Sequence, residues 1–302
     1  MTDVGDVDGD DEVYEASPIK RRRATKAEMQ ARAEFLIDYA AVHGPITVRG
    51  LYYQAEVANI AGIDKTESGY AKVQRQVLDL RRAGDMSYND VADATRWMRK
   101  PRSYDSVQDA IAETARTYRR NLWRDADSYV EIWVEKDALA GVIYPVTSRY
   151  DVPLMITRGF SSETFAYEAV AAREGDDRDY YVYYFGDFDR SGRDAANSLK
   201  EKLERFAGDE CVNVIFDQIA VTEDQVKRLR LPTRPHKRNS PADRNWPHDF
   251  ACELDAIPPD TLREMVERCI NWHLPQHQLE IARIAERSER EEFMKAFGGD
   301  RR

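Results

Sequence analysis

The chain has 302 residues, of which 33% are charged, and a formal net charge of −10. Its length allows one large domain or two smaller ones with a real core. No apolar run nears the ~18 residues of a membrane span, and the acidic start has no signal-peptide core. Cys211, Cys252 and Cys269 are odd in number, widely spaced and without C-x-x-C spacing. This argues against a zinc ribbon or disulfide framework and for buried, reduced thiols in a cytoplasmic protein.

The charge is unevenly spread. Residues 1–17 hold seven acidic groups and no basic ones, 18–124 hold 20 basic against 13 acidic, and 125–302 hold 25 basic against 35 acidic. A basic amino-terminal module before an acidic carboxyl-terminal one suits a DNA-gripping part joined to a carboxylate-rich part.

Residues 1–25 read as a disordered acidic tail ending in the basic patch Lys20-Arg21-Arg22-Arg23. Asp6, Asp8 and Asp10 lack the glycine and closing glutamate of a calcium loop. A helix follows from Lys26, with Met29, Ala33, Leu36, Ile37 and Ala40 as its apolar stripe, and ends near Gly44-Pro45. Thr47 is the N-cap expected for a second helix reaching about Ile60. A third, basic helix (Lys72, Arg75, Arg81, Arg82) runs from near Thr66 to Gly84, and a turn-rich segment, Met86–Thr95, follows. Three helices and such a segment predict a winged-helix domain over 26–104, with the third helix as groove reader. An amphipathic linker helix, roughly Ser106–Trp123, is expected within 105–128.

Beyond it strand and helix alternate, which predicts an α/β unit with a parallel sheet and carboxyl-terminal helices over 129–302. Strands are expected at Tyr129–Val134, Pro153–Thr157, Tyr180–Phe185 and Val212–Ile219, and helices from Asp137, Ser162 and Ser191. Arg228–Arg244 reads as a basic, Pro-rich loop, and Asp260 to about Phe297 as helical.

Parallel α/β sheets bind ligands beyond the carboxyl ends of their strands. Glu135 lies just past the first strand, and Asp187 and Asp189 just past the third. Two residues apart in extended chain, the aspartates are expected to point the same way. Three carboxylates there would repel unless a cation held them, and hard oxygen ligands in small number favour Mg²⁺.

The surrounding motifs are Val-Glu-Lys-Asp (134–137), Thr-Arg-Gly-Phe (157–160) and Gly-Asp-Phe-Asp-Arg-Ser-Gly (186–192). Together they resemble the Toprim domain, and more narrowly the A subunit of type IIB topoisomerases and its relatives that make meiotic double-strand breaks. The likeness covers roughly residues 30–290. Cys252-Glu253-Leu254-Asp255-Ala256-Ile257 is similar to the family's carboxyl-terminal segment; Arg190 departs from its usual proline. The resemblance implies magnesium at Glu135, Asp187 and Asp189. It also implies a nucleophilic tyrosine on the winged helix, double-stranded DNA as substrate, and a homodimer in which each tyrosine faces the partner's metal.

Thr47-Val48-Arg49-Gly50-Leu51-Tyr52-Tyr53 resembles the family's tyrosine segment. Tyr52 shares a helical face with Val48, Leu51, Ala55 and Ala58 and is expected to be buried. Tyr53 lies about 100° round and one turn after Arg49. Tyr53 is therefore the expected nucleophile, and Arg49 its phosphate-binding neighbour. Gly50 is unfavourable in a helix by about 1 kcal/mol, which close approach of DNA would explain. No Gly-x-x-x-x-Gly-Lys-Ser/Thr loop occurs, so strand passage would need a separate ATPase. His273 and His277 read as surface histidines rather than a zinc pair. Two other readings stand beside a cytoplasmic, nucleoid-associated topoisomerase-like enzyme. One is a Toprim nuclease using metal-activated water; the other is a DNA-binding component of a larger defence or segregation complex.

Overall fold

The computed structural model describes residues 25–92, 101–236, 246–274 and 276–297. The acidic tail, the basic patch, part of the wing segment and part of the 228–244 loop lie outside them.

Helix α1 (Lys26–His43) opens with a capping box, Thr25 accepting from the Glu28 N–H while the Glu28 carboxylate accepts from Thr25. Its buried face is Arg32, Leu36 and Ala40; Met29, expected in the stripe, is exposed. Helix α2 (Val48–Val57) starts at Thr47, whose hydroxyl accepts from the Gly50 N–H at 2.8 Å. Helix α3 (Glu67–Ala83) runs from the Thr66 cap to Gly84, where φ is +83°. A 3₁₀ turn at Tyr88–Asp90 and one parallel bridge, Ile46 to Val91, occupy the start of the expected wing.

Helix α4 (Val107–Thr117) stops short of the expected Trp123. Its continuation turns to run beside the carboxyl-terminal helix, where Tyr118 donates to Glu289 at 2.8 Å and the Arg120 N–H to Glu286 at 2.9 Å.

The α/β unit comprises β1 (Ser128–Val134), α5 (Ala140–Arg149), β2 (Leu154–Ile156), α6 (Glu163–Ala171), β3 (Asp179–Phe185), α7 (Arg190–Asp209) and β4 (Val214–Ala220). The four strands form one all-parallel sheet in the order β2-β1-β3-β4. Its central strands are apolar on both faces, as a sheet covered on both sides requires. Val130, Ile132 and Val134 of β1 join Tyr183 and Phe185 of β3 under α5 and a later helix, α9 (Pro259–Asn271). Trp133, Tyr180, Val182 and Tyr184 pack on the other face against α6 and α7. The first core also includes Leu36, Leu51 and Val73, so it runs unbroken into the amino-terminal helices. Arg263 of α9 fastens that contact by donating to the carbonyls of His43 at 3.1 Å and Pro45 at 2.6 Å.

After β4 come α8 (Glu223–Arg228), the short antiparallel pair β5 (Arg234–Pro235) and β6 (Phe250–Ala251), then α9 and α10 (Gln276–Phe297). The helical stretch expected from Asp260 to about Phe297 is two helices. Cys252 and Cys269 are buried, whereas Cys211 is exposed, at φ +55°. Among the described residues no helix is long and apolar enough to cross a membrane.

Candidate active site

Strands β1 and β3 are paired in register from Ser128↔Asp179 to Val134↔Phe185, so Glu135 and the 187–189 segment emerge side by side at the carboxyl edge. Glu135 Oε2 accepts the Asp187 N–H at 2.9 Å. The two glycines of the 186–192 motif make this approach possible. A Cβ on Gly186 would sit 2.8 Å from Glu135 Oε2, and one on Gly192 would sit 2.5 Å from the Asp187 carbonyl. Burial, then the neighbouring Asp187, raises the Glu135 carboxyl to about 7. Burial also raises Asp187, against the pull of Lys136 and the Leu254 N–H.

Asp189 does not join them as expected. Its Oδ1 caps α7, accepting from the Gly192 N–H at 2.8 Å, and its Oδ2 lies 3.2 Å from Arg234. Backbone geometry explains the divergence: Asp189 is already the N-cap of α7, and a cap side chain turns back to the helix.

Four residues outside the expected set complete the site. Phe188 pairs with Cys252 through two backbone hydrogen bonds, of 2.8 and 3.0 Å, which bring 253–255 against Asp187. Leu254 N–H then donates to Asp187 Oδ1 at 2.8 Å. Lys136 lies among three carboxylates, at 3.0 Å from Asp187, 3.0 Å from Glu253 and 2.9 Å from Asp255. Burial alone would lower its pKa, but Asp255, Asp187 and Glu253 outweigh burial and hold it well above the lysine range. Arg234, placed by β5, bridges Asp189 and Glu253. Lys136 lies in the 134–137 motif, and Glu253 and Asp255 in the 252–257 segment, so a sequence signal existed for three of the four. Arg234 had none.

Helix α2 borders the same cleft. The Thr47 hydroxyl donates to buried Asp255 at 2.7 Å, which docks the start of α2 on the carboxylate cluster. Arg49 pairs with Glu253 at 3.2 Å and lies over the Tyr70 ring at 4.5 Å. Tyr52 and Tyr53 are both buried, but their hydroxyls part. Tyr52 donates to the Asp64 carbonyl at 3.0 Å, whereas the Tyr53 hydroxyl lies in the field of Glu253, Arg49 and Lys136. Burial, then Glu253, holds the Tyr53 hydroxyl well above the tyrosine range, with Arg49 and Lys136 opposing. Gly50 has an internal explanation, because a Cβ there would sit 2.9 Å from Ile46 Cγ1. Close approach of DNA is not needed.

The result is one cleft of about 1070 Å³, bordered by Arg49 and Tyr53, by Arg81 of α3, and by Glu135, Lys136 and Asp187. The tyrosine and the carboxylates of a single chain share it, whereas the resemblance implied a tyrosine facing a partner's carboxylates. Among the described residues no group of three or more His, Cys, Asp or Glu side chains is arranged to hold an ion. Lys136 is the physical reason, since its ammonium already stands among Asp187, Glu253 and Asp255. Two oxygens, Glu135 Oε1 and Asp187 Oδ2, keep no hydrogen-bond partner among the described residues.

The donor chemistry still fits Mg²⁺, which is commonly held by one or two carboxylates and keeps several waters. Among the described residues, Glu135, Asp187, Asp189, Glu253 and Asp255 face the cations Lys136, Arg49 and Arg234, so carboxylates outnumber cations in the cluster. His273, read from the sequence as a surface histidine, bonds Tyr183 at 2.7 Å and Ser128 at 3.0 Å. The side chain of His277 lies outside the described residues.

No family model matches the chain, and no curated protein matches it in sequence.

Proposed function

We propose that this protein is a magnesium-dependent DNA-cleaving enzyme resembling the A subunit of type IIB topoisomerases, with a winged-helix module and a Toprim module. The observation that carries the reading is the shared cleft. It brings a tyrosine and an arginine together with two adjacent carboxylates, Glu135 and Asp187.

In this reading Glu135 and Asp187 hold Mg²⁺, which supplies positive charge to the phosphodiester oxygens. The Tyr53 oxygen attacks phosphorus, the bond to one deoxyribose oxygen breaks, and the phosphoryl group stays on the tyrosine. The phenolic proton passes to water as the new bond forms, and the departing sugar oxygen takes up a proton from water. Burial and Glu253 resist ionisation of Tyr53, and Arg49 and Lys136 favour it, so both cations stabilise charge on the phenolic oxygen. Lys72, Arg75 and Arg82 of α3 are exposed and suit a DNA backbone. Cutting both strands takes two such sites and therefore two copies. Strand passage would need a separate ATPase.

The test incubates the protein with Mg²⁺ and supercoiled DNA and traps cleaved ends with denaturant. Wild type is expected to leave protein-linked ends, and Tyr53→Phe and Asp187→Ala none. Nicking that persists in Tyr53→Phe but not in Asp187→Ala would replace this mechanism with metal-activated water. DNA bound with steep salt dependence yet left uncut would point to the binding-component reading.

A further inference from the structure

A second cleft, of about 410 Å³, opens elsewhere on the molecule. Arg119 and Arg120 enter it from the segment after α4, Arg149 from the end of α5, and Arg283 and Arg290 from α10. The first pair precedes β1, and Arg149 precedes β2, so this cleft lies at the amino edge of the parallel sheet. Glu135 and Asp187 lie at the carboxyl edge. At ~3.3 Å per residue, the length of β1 separates the two edges by roughly 20 Å.

The five guanidinium groups are not equally occupied. Arg120 pairs with Glu289, Arg290 with Glu286 at 2.7 Å, and Arg149 with Glu267 at 3.6 Å. Arg290 also donates to the Tyr118 carbonyl at 2.6 Å, which fixes its plane. Arg119 and Arg283 have no carboxylate partner among the described residues. Arg119 donates to the Ser148 carbonyl, and Arg283 lies 5.7 Å above the Tyr150 ring. Five guanidinium groups line the cleft with two carboxylates, Asp151 and Glu286, and the positive excess favours an anion. Each guanidinium fork of N–H donors matches phosphate oxygens in pairs, and carboxylates behind three of them fix the forks in advance. The volume is that of a small-ligand site.

We propose that this arginine cleft is a phosphate-binding site, separate from the tyrosine cleft. It takes neighbouring phosphates either of a nucleic-acid backbone or of a free phosphate-bearing molecule. The inference does not depend on the cleavage chemistry.

The test is calorimetric titration of the full chain with inorganic pyrophosphate, at low salt and with EDTA present so that no metal bridges the ligand to the carboxylates. One saturable site is expected in wild type, and binding weaker by at least about tenfold in Arg119→Glu/Arg283→Glu. Neither side chain belongs to the ion pairs that hold α10, and circular dichroism checks the fold. Arg119→Ala/Arg283→Ala serves if the reversal does not fold. Titration of a short labelled duplex identifies the source. Weaker duplex binding in the variant, with pyrophosphate competing in wild type, assigns a nucleic-acid backbone; unchanged duplex binding assigns a free molecule. Absence of saturable pyrophosphate binding in wild type, or equal binding in the variants, overturns the proposal.

Discussion

Glu131 is a carboxylate placed inside the core on the α6/α7 side of the sheet. It accepts from the Trp133 indole at 2.7 Å and from the Tyr180 hydroxyl, and only 5% of it is exposed. Burial raises its pKa, which those two donors oppose. Removing the carboxylate leaves two buried donors without an acceptor, so Glu131→Ala is expected to destabilise by about 3 kcal/mol. Urea unfolding followed by tryptophan fluorescence measures it; a loss below about 1 kcal/mol would mean that water replaces the carboxylate. Gly50 is a second residue where competing effects have a definite sign. Alanine gains about 1 kcal/mol of helix propensity, but its methyl group meets the buried Ile46 side chain. Overpacking costs about 1–3 kcal/mol, so Gly50→Ala is expected to lower the melting temperature. A rise would show that Ile46 repacks freely.

Two elements are tied to the α/β unit by polar side-chain contacts. The start of α2 depends on the Thr47 hydroxyl, which both accepts from the Gly50 N–H and donates to Asp255. Thr47→Ala is therefore expected to cost about 2 kcal/mol and to loosen Tyr53, while Thr47→Ser restores both; failure of serine to restore them would assign the effect to the methyl group. The end of α9 is tied to β1 and β3 by His273, whose pKa burial lowers from 6.5. With the folded value depressed, the unfolded state binds more protons in this range. The contribution is full above 6.5 and fades as pH falls through the lower folded value. Wild type is thus expected to lose more stability than His273→Gln between about pH 7.5 and 5. Parallel slopes for the two proteins would refute this.

At the scale of the whole molecule, alternation of strand and helix in 129–219 was enough to place four parallel strands, because both faces of β1 and β3 are buried and mostly apolar. Tertiary contact decided what periodicity could not. The 253–255 segment reaches Asp187 only through the Phe188–Cys252 bridge, and Arg234 reaches Asp189 only because β5 pairs with β6. Asp-x-Asp spacing led to an expectation of two parallel carboxylates, but the helix that begins at Asp189 takes one of them as its cap. Helical angle predicted different surroundings for the two tyrosine hydroxyls, but both rings are buried and both border the cleft.

The cleft unites Tyr53 with Glu135 and Asp187, and mapping the covalent adduct tests that union most directly. DNA cleaved with Mg²⁺ is trapped on the protein, trimmed with nuclease, and the tryptic peptide spanning 50–65 is sequenced by mass spectrometry. The expected result is a nucleotide on Tyr53, absent when Asp187 is alanine. A nucleotide on Tyr52 or on any other residue, or cleaved DNA with no adduct, would contradict it.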